Sequence, residues 1–247
     1  MTRAIANRTD RSDVTTSPNR IRIGAAALTV AGVLFLLYPV TRPYEDESTL
    51  AGATTAMSST AWVAAHLFGI IGFVLLALSL LTLHTVLSRT RAEPLAYAAL
   101  LTGWLGTGLA VPGQGAEDFG LHATALEAAN NPQINLLNVI ETSRQSPGPI
   151  LTSGTGMLLL ALSIVLAAVA IWRSGVLARA SGIPLAVGIA AFLPQLFAPP
   201  PVRIAHGVLI AVGSLWLARE LWRTSASSSG RHLQRTAEAT ADRRAPA

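Results

Sequence analysis

Residues 60–87 read TAWVAAHLFGIIGFVLLALSLLTLHTVL, and the only titratable side chains among them are His66 and His84. At a rise of about 1.5 Å per residue, such a run exceeds the ~30 Å hydrocarbon core of a bilayer. It therefore reads as a transmembrane helix, and the chain on either side repeats the pattern. Further apolar segments lie at 23–40, 95–111, 150–172, 181–197 and 202–222. The expected fold is all-α, a six-span transmembrane helical bundle over residues 23–223.

Composition agrees with that class. Apolar residues make up 51% of the 247 positions and charged residues 13%. Cysteine is absent, which removes disulfides, thiolate metal sites and thiol nucleophiles from any mechanism. All basic residues are arginines, and the net charge is +5. In a soluble chain that balance suggests nucleic acid. Here the arginines sit in short connections and tails, where membrane orientation accounts for them and no nucleic acid partner is needed. Residues 1–22 and 224–247 lack apolar periodicity and read as disordered cytoplasmic tails.

Orientation follows from the arginines. With six spans and both termini cytoplasmic, only Arg42, Arg144 and Arg203 fall outside. Five spans would destroy that asymmetry. The expected location is a bacterial cytoplasmic membrane with the bilayer itself as partner. Tyr38 and Tyr44 suit the interface, and Glu45, Asp46 and Glu47 open an external acidic loop.

The longest connection, 113–148, follows Pro112 and Gly113, which are expected to end or kink the third span. Two short helices are expected in it, over Phe119–Asn130 and Ile134–Ile140, with Asn130-Asn131-Pro132 and Ser146-Pro-Gly-Pro149 as breaks. Gly103, Gly106 and Gly108 thin one side of the third span for a close neighbour. Ala198-Pro-Pro-Pro201 reads as a stiff external turn before the last span.

Polar groups collect at one depth. His66, His206, Gln195 and the pair Glu117-Asp118 with His122 all fall in the outer leaflet or its interface, whereas the inner half offers mostly Ser79, Thr82 and His84. Glu117, Asp118, His66 and His206 are the candidate catalytic residues. His122, Trp62, Trp104, Phe119, Gln195 and Arg203 are the candidate binding residues. The chemistry they suit is acid-base work on a lipophilic, isoprenoid-like molecule, with aromatic faces of Trp62, Phe68, Trp104 and Phe119 lining the pocket. Competing structural roles are plain: a histidine near a helix end commonly bonds a carbonyl, and Glu117-Asp118 can serve a helix N-terminus. Imidazole and carboxylate suit zinc, but no tight ligand spacing occurs, so neither metal nor cofactor is expected. No Gly-x-Ser-x-Gly or phosphate-binding loop is present.

Trp62-Val-Ala-Ala-His66, Gly115-Ala-Glu-Asp-Phe-Gly-Leu-His122, Trp172-Arg-Ser-Gly175 and Arg203-Ile-Ala-His-Gly207 together resemble small multi-pass membrane proteins of actinobacterial type. The resemblance implies the same architecture and assigns no catalytic residue. Three function classes therefore stay open: an enzyme or binding protein for a lipophilic small molecule, a small transporter or proton-coupled subunit, and a structural or assembly protein.

Overall fold

The computed structural model describes residues 18–242, with side chains described as far as Ala226. Its elements are all helical: α1 (Pro18–Thr41), α2 (Leu50–Met57), α3 (Thr60–Leu87), α4 (Glu93–Gly115), a π turn (Ala116–Gly120), α5 (Leu121–Asn130) and α6 (Leu136–Gln145). There follow α7 (Pro147–Pro149), a second π turn (Ile150–Gly154), α8 (Thr155–Ser174), a 3-10 turn (Arg179–Gly182), α9 (Ile183–Ala190), α10 (Phe192–Gln195) and α11 (Pro200–Asp242). Five helical stretches are long and apolar enough to cross a membrane: Pro18–Thr41, Thr60–Leu87, Glu93–Asn130, Leu136–Ser174 and Pro200–Ala226. Their outward faces carry Ile71, Val74, Leu78 and Leu81 on α3, Leu101 and Leu105 on α4, Leu158 and Leu162 on α8, and Val208 and Val212 on α11, all exposed. So continuous an apolar surface suits lipid rather than water.

The long helices form a closed ring in chain order, each antiparallel to the next: α1 packs on α3, α3 on α4, α4 on α8, α8 on α9, α9 on α11, and α11 back on α1. Small residues set the spacing. A Cβ on Gly156 would lie 2.6 Å from the Ala110 backbone nitrogen and 2.9 Å from the Gly106 carbonyl oxygen, so α4 and α8 touch backbone to backbone. Gly103 and Gly106 share in this packing, while Gly108 has nothing near it and faces outward, contrary to the sequence expectation. Phe35, Phe73, Leu76, Leu160, Ile171 and Ile210 fill the interior.

Two ends result. Arg22 lies over the Trp222 ring at 5.7 Å, and the Ala178 amide faces Glu220 at 3.4 Å, so one end gathers the start of α1, the α8–α9 turn and the later part of α11. At the other end, α2, α5, α6 and the first turn of α3 build a second small core from Ala53, Met57, Trp62, Leu121, Leu136 and Ile140. This is a helical cap on the bundle.

Several boundaries differ from the sequence expectation, each for a local reason. Helix α1 begins at Pro18 rather than Ile23, because Ile21 already packs into the core, so residues 18–22 are not tail. Residues 1–17 and 243–247 lie outside the described residues. Helix α11 continues past Trp222, where the last span was expected to end, to Asp242. Pro112 does not end its helix, which runs on to Gly115 and through the π turn into α5. Helix α2 was not anticipated; Thr49 caps it, accepting from the Gly52 N–H at 3.1 Å. The segment read as the fifth span is a broken helix: α9 stops at Ala190, since Pro194 has no N–H to return to residue 190, and α10 is a single turn.

Candidate functional site

The cap is fixed to the bundle by an alternating row of charges. Arg42, just past α1, has Nη2 at 2.5 Å from Glu47 Oε1. The other Glu47 oxygen accepts from Arg144 Nη1 at 2.9 Å. Arg144, near the end of α6, turns its remaining fork on Glu117: Nε and Nη2 each donate to one carboxylate oxygen at 2.7 Å. Such bidentate pairing is the strongest geometry available to these side chains. The row joins the α1–α2 link, α6 and the first π turn, and its charges cancel.

Trp62 underlies the row. It is fully buried, its ring lies 4.9 Å from the Arg42 guanidinium, and its Nε1–H donates to the Glu117 carbonyl at 2.8 Å. Ser59 orients it by accepting from its backbone N–H at 3.1 Å. Below Trp62, His66 directs Nδ1 to the Trp62 carbonyl at 2.9 Å, with its ring 4.3 Å from the indole and 5.6 Å from Tyr38.

Burial by itself would raise the Glu47 carboxyl, but Arg42 and Arg144 more than offset it and hold Glu47 below its ordinary value of 4.5. A depressed carboxyl contributes stability that is complete above the unfolded value and is lost as pH falls through the folded one. Melting temperature should accordingly be flat from pH 7 to about 5 and drop below about 4.5. In Glu47→Gln that acid limb should be shallower. An acid limb as steep as that of the parent would show that Glu47 is not its source.

The sequence candidates separate into different surroundings. Glu117 is engaged by both arms of the Arg144 fork. Asp118, its neighbour in the π turn, is fully buried, and both its carboxyl oxygens lack a hydrogen-bond partner. His122 ties α5 to α2, with Nδ1 at 2.7 Å from the Met57 carbonyl. His206 places Nε2 at 2.7 Å from the Gly188 carbonyl, and its ring meets Phe192 at 5.8 Å. His66 meets Tyr38, Tyr38 stacks on Phe192 at 6.4 Å and Phe192 meets His206, so a row of rings links the two imidazoles. Trp104 and Phe119 are 53% and 56% exposed and face outward, so they do not line an enclosed pocket with Trp62. Gln195 and Arg203 are buried together beside Tyr44. Among the described residues no three histidine or acidic side chains converge as a metal site requires.

Sequence reasoning left Arg42, Glu47, Tyr38 and Phe192 out of the site. A signal for two of them was present: Arg42 stands on the side that arginines otherwise avoid, next to the acidic run containing Glu47. An arginine in an unfavoured location invites a search for its counter-charge.

The fold defines a helical membrane protein with an ion-paired helical cap. No family model, curated protein or solved structure matches the chain.

Proposed function

We propose that this protein is a six-span bundle of a bacterial cytoplasmic membrane, with both termini cytoplasmic and the cap outside, related to the small multi-pass proteins its motifs resemble. Its function is to present an acid to a lipophilic, isoprenoid-like small molecule, as an enzyme or binding protein, and the acid is Asp118. The six crossings are supported by ring geometry: α8 ends at the arginine-rich end, α11 starts at the capped end, and α9 with α10 connects the two. Reporter fusions after Arg91 and Arg179 should read inside, and those near Glu47 and Asn131 outside; an external signal at either terminus would reject this orientation.

The observation that carries the functional reading is the buried Asp118 carboxyl without a partner. Leaving a buried polar group unsatisfied costs about 1–3 kcal/mol, and a carboxyl costs more when charged. Such a group is kept where it exchanges a proton or meets a ligand. Its setting in a π turn agrees, since the extra residue re-aims side chains and such turns recur at functional sites. Phe119, exposed next to it, offers apolar surface to a ligand arriving from the bilayer.

A lipid-soluble carbodiimide tests this directly, because it modifies carboxyls that carry a proton in apolar surroundings. Intact-mass measurement should show one adduct on the parent and on Glu117→Gln, and none on Asp118→Asn. Modification at Glu117 in place of Asp118, or no modification at all, rejects the reading. The broken α9–α10 segment favours a second reading, a small transporter with Asp118 as its proton station, since interrupted helices characterise transport sites. Proton uptake into vesicles, abolished by Asp118→Asn, would select it over the first.

A further inference from the structure

Arg203 differs from the other two arginines of the capped end. It is 6% exposed, yet among the described residues no carboxylate lies within ion-pair distance of it. Its Nε donates to Gln195 Oε1 at 3.3 Å, and its guanidinium lies 5.3 Å from the Tyr44 ring. Neither partner carries a negative charge at neutral pH. The position compounds the imbalance, because Arg203 stands in the first turn of α11, where the helix dipole is positive, and that turn holds no acidic residue. A guanidinium taken out of water without a counter-charge is costly, and Arg42 and Arg144 show how this chain normally avoids it. The residues that flank Gln195 and Arg203 in the chain are apolar and exposed: Leu196, Phe197 and Val202, with Phe197 at 92%. An anion reaching Arg203 beside these side chains does so most favourably on an apolar tail.

We propose that Arg203, with Gln195 beside it, is a binding site for the carboxylate or phosphate headgroup of an amphiphile whose tail lies along Leu196, Phe197 and Val202. The headgroup supplies the missing counter-charge, and the planar fork of Arg203 suits an oxyanion. It uses none of the groups around Asp118 and stands independently of the acid assigned there.

The full chain, purified in a non-ionic detergent, is titrated with dodecyl phosphate, with dodecanol as the uncharged match and with inorganic phosphate alone, following melting temperature and bound mass. Dodecyl phosphate should raise the melting temperature of the parent and dodecanol should not. In Arg203→Gln the apparent Kd for dodecyl phosphate should weaken at least tenfold. Arg203→Lys, which keeps the charge and loses the fork, should fall between, and serves if Arg203→Gln does not fold. An equal response to inorganic phosphate would assign the same site to a free oxyanion rather than a lipid headgroup. Equal responses to dodecyl phosphate and dodecanol, or parental affinity in both Arg203 variants, would overturn the proposal.

Discussion

Replacing Arg144 with Met should lower the stability of the detergent-solubilised protein by about 2–4 kcal/mol, a larger loss than any other arginine substitution produces. The reason is that one guanidinium serves two carboxylates. Its removal leaves Glu117 without a partner and returns Glu47 to Arg42 alone, with two negative groups now facing each other across the vacated space. Arg144 and Glu117 retain side-chain exposures of 33% and 22%, so water recovers part of the loss and the range sits at the lower end for buried pairs. Glu117→Gln should cost less, about 1–2 kcal/mol, because Arg144 keeps Glu47. In the double variant the two losses should add to less than their sum. Arg173→Met, at an exposed position of the opposite end, should fall within about 0.5 kcal/mol of the parent. If Arg144→Met melts with Arg173→Met, the charge row does not hold the cap.

Gly156→Ala should be comparably damaging despite adding one carbon. The new Cβ would stand 2.6 Å from the Ala110 nitrogen and 2.9 Å from both the Gly106 oxygen and the Leu109 carbonyl carbon, all of them backbone atoms that no rotamer change can move. Helices α4 and α8 must separate, and that separation travels to the two π turns above the crossing. A loss of about 2–3 kcal/mol is expected, at the upper end for overpacking. Gly108→Ala, on the facing helix α4 with nothing within 4 Å, is the internal control and should be neutral or slightly stabilising. Thermal unfolding of the three proteins in one detergent checks the ordering, and equal melting temperatures would mean that the close crossing is absent in solution.

The contrast between those two glycines shows where sequence stops. Apolar length made the long helices legible as candidates to cross a membrane, because a bilayer imposes length on any segment that crosses it. Helical rotation is not imposed in that way. Gly103, Gly106 and Gly108 look alike in a sequence, and only the partner helix distinguishes the packed pair from the outward one. Helix α2 was hidden for a different reason: Leu50–Met57 is too short for a periodic signal, and its burial against Trp62 and Leu121 is tertiary. At the site, the depth argument grouped Glu117, Asp118, His122, His66, His206 and Gln195, and it offered Glu117 either Arg203 or Arg144 as an ion-pair partner, of which the structure uses Arg144. Adjacent carboxylates could not be ranked from sequence. One residue of rotation in the π turn commits Glu117 to Arg144 and leaves Asp118 alone.

The closed ring has a consequence for how the chain assembles. Neighbours in sequence are neighbours in space for every seam but one, and α1 and α11, the outermost partners in the chain, form that last seam with Gly32 against Ser214 and Gly207 against Pro39. During synthesis α1, α3, α4 and α8 can associate as each emerges, at little entropic cost, because their contacts are local. Helix α1 must then wait, with one flank unfilled, until the final helix is made. The nascent ring is an open groove for most of its biogenesis, and a chain stopped before Pro200 would carry that groove permanently into the membrane.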